Sequence, residues 1–366
     1  MLLETRMSDK LLNIIKTRIR EQGPMDLGAY MDLCLGHPEH GYYMTRDPFG
    51  AAGDFTTSPE VSQLFGEMIG AWLADVWMNI GSPSRFALLE CGPGRGTLMA
   101  DILRATKHVS GFHDAAKIYM MEMSPVLKEI QKQKLDAYNA YWINDVTQLD
   151  SGIPVLLIAN EFLDALPVRQ FIKTKDDWQE RRVALGVDDA LVLNEFEVDG
   201  ADTGMLPQGS FEGIFETSPC LNQFMKSVHT LLKEQTGAAL FVDYGHVKSG
   251  AGDTLQAMKH HKFVDIFETP GICDLTAHVD FENILRMGQQ DGVALRGPVT
   301  QAAFLKNLGV EARAERLWAG ANEVQRESII SGLSRLIDTE QMGSLFKVIA
   351  LTHDTSIEPE GFHESV

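Results

Sequence analysis

The chain has 366 residues, of which 44% are hydrophobic and 23% are charged, and its formal net charge is -19. This composition is ordinary for a globular protein with a sizeable core. The acidic balance argues against a nucleic-acid partner, because neutralising phosphates requires clustered lysine and arginine. No stretch approaches ~18 consecutive apolar residues, so the sequence predicts no membrane span.

The cysteines and the first residues bear on the compartment. Cys34, Cys91, Cys220 and Cys273 lie far apart and form no C-x-x-C pair, which argues against a disulfide framework or a zinc ribbon. The opening MLLETRMSDK lacks the apolar core of a secretory signal and carries acids that transit peptides avoid. We therefore expect a cytoplasmic protein.

The N-terminal part is predicted to contain two helices separated by a long loop. Residues 8–22 have the apolar spacing of an amphipathic helix. Residues 37–60 are rich in glycine, proline and aromatic residues and predict a loop, and their HPEH lacks partners at a zinc-like spacing, so we expect no metal site. Ser58 then caps a core-facing helix in which Gly66 and Gly70 would let a neighbouring element approach.

Beyond this helix, apolar strands alternate with amphipathic helices. The predicted strands are FALLEC, KIYMMEM, YWIND, IPVLLIAN, GAALFVDYG and LFKVIALTH. TLMADILRATK and SPVLKEIQKQKL are the helices between the first three. This alternation predicts an α/β fold with a mostly parallel, doubly wound sheet that binds ligands at the carboxyl ends of its strands.

The alternation is interrupted over residues 168–216. VRQFIKTKDDWQERRVAL and ALVLNEFEV have the pattern of short strands with polar turns between them, which predicts a β-rich insertion. The expected organisation is a helical and lid segment over residues 1–80, a core with the insertion over residues 81–354, and a C-terminal tail over residues 355–366.

A glycine-rich loop follows the strand FALLEC. Its pattern is Glu90-x-Gly92-x-Gly94-x-Gly96, and Thr97 stands where a dinucleotide-binding loop has its third glycine. A carboxylate at the strand end would repel a diphosphate, whereas it suits the ammonium and sulfonium groups of S-adenosylmethionine. Backbone amides at the helix N-terminus would bind the ligand's own carboxylate. We therefore predict S-adenosylmethionine as cofactor, with a dehydrogenase as the weaker alternative.

Two further acids follow the next two strands. Glu122 ends KIYMME, where an acid binds ribose hydroxyls in either class of nucleotide ligand. Asp145 follows YWIN, where it would bond the adenine amino group or, alternatively, cap a turn. Both positions agree with an adenosyl ligand at this edge of the sheet.

Several motifs in combination resemble one family. GPGRGTLMADILRA, NEFLDALPVRQF, FVDYG and DLTAHVDF, with HPEHGYY and GDFTTSPE upstream, are similar to the MidA-like class I methyltransferases, from the first helix to about Leu351. The resemblance implies the Rossmann-like class I fold and S-adenosylmethionine as methyl donor. Mitochondrial members of the family methylate an arginine on a subunit of respiratory complex I and aid its assembly, so it also implies a protein arginine as acceptor.

The fourth strand ends in NEFLDALP, at the tip that faces the methyl group in the class I fold. The proline-rich turn common in amine methyltransferases is missing. We predict that Asn160 contacts the cofactor, and that Glu161 and Asp164 hold an arginine guanidinium, whose pKa above ~12 keeps it protonated. Alternatively, this stretch begins a helix that Asn160 caps.

The remaining candidates come from three other stretches. Asp243 follows the fifth strand, where it would hold the substrate or cap a turn. His278 would accept a proton or have a structural role. GDFTTSP is predicted to close over the cofactor as a lid, with Phe55 excluding water and Thr57 or Ser58 donating hydrogen bonds, although a capped loop is the alternative.

Together these features predict an S-adenosylmethionine-dependent methyltransferase that modifies an arginine of a partner protein such as a NADH dehydrogenase subunit. One alternative is a small-molecule methyltransferase with the same donor. Another is an assembly factor that binds the cofactor without turnover. The insertion and the long N-terminal segment favour a protein acceptor, because both would frame a groove, and the chain is compatible with an oligomer.

Overall fold

Strands and helices alternate after residue 86 as the sequence predicts. The computed structural model describes residues 2–49, 56–174, 177–198, 206–207 and 212–363. Its strands are β1 (Met25–Asp26), β2 (Phe86–Cys91), β3 (Ala116–Met121), β4 (Ala140–Ile143), β5 (Val155–Asn160), β6 (Arg169–Lys173), β7 (Trp178–Leu185), β8 (Leu191–Glu197), β9 (Ile214–Thr217), β10 (Gly237–His246), β11 (Gln256–Lys259), β12 (Lys262–Val264), β13 (Asp274–Thr276), β14 (Val279–Asp280), β15 (Ala294–Thr300) and β16 (Phe346–Thr352).

The helices vary from single turns to long amphipathic segments. They are α1 (Leu2–Gln22), α2 (Leu27–Gly36), α3 (Tyr42–Thr45), α4 (Ser58–Val61), α5 (Gln63–Asn79), α6 (Thr97–Thr106), α7 (Phe112–Ala115), α8 (Pro125–Lys134), α9 (Pro219–Glu234), α10 (Phe281–Asp291), α11 (Gln301–Asn307), α12 (Val310–Ala319), α13 (Glu323–Ile337) and α14 (Met342–Leu345). Among the described residues, none of these helices combines the length and apolar character needed to cross a membrane.

The large sheet lies in a compact unit made of Thr56–Leu163, Met225–Val247 and Val279–Val366. Its strand order is β15-β16-β10-β5-β2-β3-β4, and β14 pairs with the end of β10. The strands from β10 to β4 are parallel, whereas β16 and β15 pair antiparallel with their neighbours. The strand order reverses between β2 and β5, which makes their carboxyl ends the topological switch point. The predicted Rossmann-like α/β fold is confirmed.

The centre of this unit is apolar and closely packed. β2 and β5 are buried along their whole length, as strands of a sheet covered on both faces are. A Cβ built on Gly70 would lie 3.3 Å from Cα of Ile102, and one on Gly66 would lie 2.4 Å from Cβ of Asp101, so both glycines bring α5 close to α6. The close approach expected from these glycines is confirmed.

The other compact unit comprises Met1–Phe55, Asp164–Phe224 and Lys248–His278. β1, β7, β6 and β9 form an antiparallel sheet in that order, and β8 pairs with β7. β12, β11 and β13 form a smaller antiparallel sheet. The β-rich insertion expected after residue 168 is confirmed by β6 to β9.

The core of this second unit includes the predicted N-terminal helix. Leu11, Ile15 and Ile19 lie on one face of α1 and are buried, as their spacing predicts. They belong to the same buried cluster as Tyr30 and Cys34 of α2. The N-terminal helix is therefore part of the buried core of the second unit.

The helix expected to begin at Ser58 is interrupted after one turn. α4 ends at Val61, and Ser62 takes an extended conformation with φ of -160°. The Ser62 hydroxyl then accepts a hydrogen bond from the N–H of Leu64, so it caps α5. A serine inside the apolar pattern therefore divides the predicted helix in two.

Candidate active site

The glycine-rich loop lies at the carboxyl end of β2, at the switch point. Gly92, Gly94 and Gly96 have φ of 63°, 51° and 74°, values that residues with a Cβ rarely adopt. Gly96 is the N-cap residue of α6, and its N–H donates to the carbonyl of Pro93 at 2.7 Å. The N-terminus of α6 therefore lies at the switch point, where the N–H of Met99 donates to Glu90. A helix N-terminus of this kind suits a carboxylate ligand.

The loop after β2 lies against the turn that follows β5. A Cβ built on Gly92 would come 2.7 Å from Cδ2 of Phe162. The two strands are neighbours, and Cys91 pairs with Ala159. The structure therefore brings the predicted cofactor loop next to the turn that carries Glu161.

Glu90 is a buried carboxylate with an unsatisfied oxygen. Only 3% of the residue is exposed, and its Oε2 has no hydrogen-bond partner among the described residues. Burial, with a contribution from Glu122, raises the pKa of Glu90 well above its usual range. Leaving such an acceptor unpaired is costly unless a ligand satisfies it. A cationic group would do so, whereas a diphosphate would add charge of the same sign.

Asn160, at the end of β5, is a second buried acceptor at this edge. Its Nδ2 donates to Oε1 of Glu161 at 3.1 Å. Within the part of the chain that the structure describes, its Oδ1 has no partner. Unpaired acceptors at the ends of two adjacent strands fit a ligand that carries N–H donors, as the ammonium group of S-adenosylmethionine does.

Glu122 follows β3, and protein donors hold both of its carboxylate oxygens. Oε1 accepts from the N–H of Ser124 at 2.8 Å, and Oε2 accepts from Nε2 of Gln131 at 3.1 Å. Burial raises the pKa of Glu122. Gln131 was not among the residues predicted from the sequence, because its partners Gly94 and Trp142 lie on other elements.

Asp145 follows β4 and caps a short turn. Its Oδ1 accepts from the N–H and the hydroxyl of Thr147, at 2.8 Å and 2.6 Å, and Gln148 completes a capping box. These bonds lower the pKa of Asp145. The structure therefore shows Asp145 as a turn cap, the alternative given for this residue. A hydrogen bond from adenine to Asp145 stays a prediction.

Thr97 and Arg95 are both connected to Glu60 of α4. The Thr97 hydroxyl donates to Oε1 of Glu60 and accepts from Nζ of Lys134 at 2.6 Å. Nη1 of Arg95 lies 3.8 Å from Oε2 of the same carboxylate. Glu60, which the sequence analysis did not single out, therefore braces the start of α6 and the loop before it.

Glu161 stands in the tight turn after β5. Its φ of 51° is rare for a residue with a Cβ, and strain of this kind clusters at functional sites. Its N–H donates to the carbonyl of Val242 at 2.9 Å, and its Oε1 accepts from the N–H of Ser58 at 2.9 Å. No helix begins at this described turn, so the alternative of a helix capped by Asn160 is wrong.

Asp243 lies within β10, rather than after it as the sequence predicts, and holds this turn. Its Oδ2 accepts from the N–H groups of Phe162 and Leu163, at 3.1 Å and 2.8 Å, and its Oδ1 accepts from the N–H of Tyr244 at 2.9 Å. The residue is 1% exposed. These bonds support the turn-capping alternative for Asp243, and a contact with substrate stays a prediction.

The predicted lid is described only from Thr56 onward, since residues 53–55 with Phe55 lie outside the described residues. Thr57 is the N-cap residue of α4. Ser58 is buried, and its hydroxyl donates to Oε1 of Gln301 at 3.3 Å. The backbone N–H of Ser58 donates to Glu161, the candidate catalytic acid. Hydrogen bonds from Thr57 or Ser58 to the cofactor stay a prediction.

Asp164 and His278 belong to the other compact unit. The carbonyl of Asp164 accepts from the N–H of Ala277 at 2.9 Å, and the N–H of His278 donates to the hydroxyl of Thr254 at 2.9 Å. Within that unit the two candidates therefore lie on neighbouring segments. Their catalytic roles stay predictions.

The two histidines of the HPEH motif contact each other. The rings of His37 and His40 stack with centroids 5.1 Å apart. Across the described ranges, no group of three or more histidine, cysteine or acidic residues is arranged to hold a metal ion.

Comparisons with known proteins agree with this geometry. Residues 68–299 match the family model described as "Putative S-adenosyl-L-methionine-dependent methyltransferase". The protein arginine methyltransferase NDUFAF7, mitochondrial, of Xenopus tropicalis is 33% identical over 96% of this chain and 87% of its own length. The human protein of that name is 34% identical over 93% of this chain and 83% of its own length.

A solved structure extends the likeness to the whole fold. A COG1565 superfamily member and likely methyl transferase from Burkholderia thailandensis, bound to S-adenosyl-homocysteine, is 27% identical with a TM-score of 0.83. The match covers 97% of this chain and 94% of that chain.

The comparisons also correct one expectation. The cytoplasmic location expected from the first residues is wrong, because the relatives in Xenopus, zebrafish and human are named as mitochondrial proteins. The cofactor prediction is confirmed by the family and by the bound product in the related structure. The chain belongs to the family of S-adenosyl-L-methionine-dependent methyltransferases.

Proposed function

We propose that the chain transfers the methyl group of S-adenosylmethionine to an arginine side chain of a partner protein. The observation that carries the proposal is the carboxylate of Glu161, held in a strained turn beside the glycine loop. The choice of arginine is supported by the names of the relatives from Xenopus tropicalis and human, which are protein arginine methyltransferases.

The ends of β2 to β5 supply the groups that would hold the cofactor. The unpaired oxygens of Glu90 and Asn160 suit its ammonium group, and the loop amides suit its carboxylate. When bound, the cofactor supplies a methyl group on a positively charged sulfur. The residues that we assign to it are Glu90, Gly92, Gly94, Gly96, Thr97, Glu122, Asp145 and Asn160, with Thr57 and Ser58 at the start of α4.

Glu161 would hold and orient the substrate guanidinium. This group stays protonated near neutral pH, because its pKa lies above ~12, and it binds a carboxylate through charge-assisted hydrogen bonds. The bonds from Ser58 and Asn160 fix Oε1 before substrate arrives, which reduces the entropy lost on orienting the reacting groups. Glu161 is also placed to accept the proton that the attacking nitrogen releases.

The roles of the other acids follow from their contacts. Asp243 bonds to the turn at Phe162 and Leu163, so we assign it to positioning Glu161. We assign Asp164 as a second carboxylate for the substrate. We assign His278 as a proton acceptor.

We further propose that the acceptor arginine belongs to a subunit of NADH dehydrogenase. This partner follows from the resemblance to methyltransferases that act during the assembly of respiratory complex I. The net charge of -19 adds support, since an acidic protein attracts a basic segment around the target arginine.

The proposal is tested by labelled methyl transfer. The purified chain is incubated with isotopically labelled S-adenosylmethionine and isolated NADH dehydrogenase subunits, and the labelled product is hydrolysed and analysed by mass spectrometry. We expect label in N-methylated arginine and none with Glu161→Gln. Label in another amino acid would rule out arginine. Transfer only to compounds below protein size would favour the small-molecule alternative, and cofactor binding without transfer to any acceptor would favour an assembly factor.

A further inference from the structure

Gln131 is a fully buried glutamine of α8 whose amide contacts three parts of the cofactor site. Its Nε2 donates to the carbonyl of Gly94 at 2.7 Å and to Oε2 of Glu122 at 3.1 Å. Its Oε1 accepts from Nε1 of Trp142 on β4 at 2.8 Å. One side chain thus connects the glycine loop, the end of β3 and β4.

We propose that Gln131 is a positioning residue that aims Glu122 at the ribose hydroxyls and so sets the preference of the site for a ribose. This inference rests on the proposed assignment of Glu122 to the ribose of the cofactor. The assignment of Glu122 alone involves neither Gln131 nor a preference for ligands that carry the ribose hydroxyls.

The partners of Gln131 determine the orientation of its amide. The indole N–H of Trp142 can only donate, so it must face Oε1, and the carbonyl of Gly94 can only accept, so it must face Nε2. Both hydrogens of Nε2 are then used, one by Gly94 and the other by Glu122. A glutamate at this position would lose both donors, and a leucine would lose all three bonds.

The bond from Gln131 determines how Glu122 can act. The backbone N–H groups of Ser124 and Met123 also donate to this carboxylate, and Gln131 is the side-chain donor to its Oε2. The Gln131 bond therefore helps to fix the plane of the carboxylate. A carboxylate accepts from two adjacent hydroxyls at once only when its plane is fixed and when it is ionised. A donated hydrogen bond favours the ionised form against the effect of burial, and the Gln131 bond therefore serves both needs.

The packing around Gln131 leaves it little freedom. A Cβ built on Gly96 would lie 3.4 Å from Cγ of Gln131, so the backbone of the glycine loop lies directly over the side chain. A simple packing role would predict that the loss of Gln131 weakens every ligand of the site alike. A positioning role predicts a selective loss toward ligands that carry the hydroxyls.

The two roles are separated by calorimetric titration with S-adenosylhomocysteine and with its analogue that lacks the 2′- and 3′-hydroxyl groups. We expect the wild-type chain to prefer the hydroxylated ligand by about 10- to 100-fold, the range for a hydrogen bond to a charged group. For Gln131→Leu we expect this ratio to fall to about threefold or less, with the affinity for the analogue nearly unchanged. Gln133→Leu, which alters an exposed glutamine on the same helix, should keep the wild-type ratio.

The inference is overturned if Gln131→Leu weakens both ligands by the same factor. Should that variant fail to fold, Trp142→Phe decides, because it removes the donor to Oε1 and leaves Gln131 in place. A lowered ratio in Trp142→Phe supports the inference, and an unchanged ratio contradicts it. A wild-type chain that transfers methyl groups but binds both ligands equally would refute the inference and leave the proposed activity intact. A wild-type chain that discriminates yet transfers no methyl to arginine would refute the activity alone.

Discussion

The backbone N–H of Ser58 donates a hydrogen bond to Oε1 of Glu161 at 2.9 Å, across a sequence separation of 103 residues. Asn160 donates to the same oxygen from the neighbouring position. The turn after β5 is therefore held by the first residue of α4. The GDFTTSP and NEFLDALP motifs, which are far apart in the sequence, are therefore joined at one site.

Glu161→Gln should abolish methyl transfer while it leaves cofactor affinity nearly intact. Glutamine is neutral, so it cannot pair with a guanidinium or accept its proton, and we expect transfer to fall by about 10²- to 10⁴-fold. Labelled transfer measures the rate, and calorimetry measures the affinity. Glu234→Gln, an exposed glutamate at the end of α9, is the matched control. Unchanged turnover in Glu161→Gln would remove this residue from the mechanism.

Asp243→Asn should lower both stability and transfer. The amide presents only one acceptor where the carboxylate receives three backbone N–H groups, so buried donors are left unpaired. We expect the free energy of unfolding to fall by about 1–3 kcal/mol, measured by denaturant titration. Glu161→Gln, by contrast, should change stability little. Full stability in Asp243→Asn would show that it does not hold the turn.

Gly92→Ala should weaken both the fold and cofactor binding. The new Cβ would combine a φ of 63° with a contact of 2.7 Å to Phe162, so the turn after β5 must move. Gly152→Ala is the matched control, because its φ of 75° is similar and nothing lies within 4 Å of the added atom. In thermal melts with and without S-adenosylhomocysteine, only Gly92→Ala should lose ligand stabilisation. Equal behaviour of the two variants would refute the close approach as the cause.

Glu90→Gln should stabilise the chain without ligand, increasingly so at higher pH. Because the folded pKa of Glu90 is raised, the folded state keeps its proton at pH values where the unfolded state has lost it. The contribution of the protonated Glu90 carboxyl to folding stability is therefore fully present below the pKa of the unfolded state. It is lost as the pH rises through the pKa of the folded state. A neutral glutamine removes this loss, and a gain of about 1–2 kcal/mol near neutral pH is expected.

The same substitution should cost cofactor affinity by about 10- to 100-fold. The ammonium group of the cofactor favours the ionised form of Glu90, and glutamine cannot supply that charge. Unfolding curves across the acid to neutral range, together with titrations of S-adenosylmethionine, check both effects. A stability gain that does not depend on pH would contradict the assigned ionisation of Glu90.

The strands of the large sheet could be predicted because their pattern is local. FALLEC corresponds to Phe86–Cys91, and the three glycines after it have the positive φ values that only their residue type adopts readily. Each of these signals lies within a few residues of the feature it predicts. The acid before the glycines likewise identified the class of ligand from charge alone.

The turn after β5 could not be predicted, because distant residues determine it. NEFLDALP has the composition of a capped helix start, yet Asp243 takes the N–H groups of Phe162 and Leu163. Gln131 was missed for the same reason, since its partners at Gly94 and Trp142 lie on other elements. Pairings between segments far apart in sequence leave no periodic pattern.

We propose that the carboxyl ends of β2 and β5 receive the cationic end of S-adenosylmethionine. The decisive measurement is a crystal structure of the chain with this cofactor. We expect the amino group of the cofactor within hydrogen-bond distance of Glu90 Oε2 and Asn160 Oδ1, and the ribose hydroxyls on Glu122. A cofactor whose adenine or carboxylate occupies the position beside Glu90, with its amino group elsewhere, would contradict it.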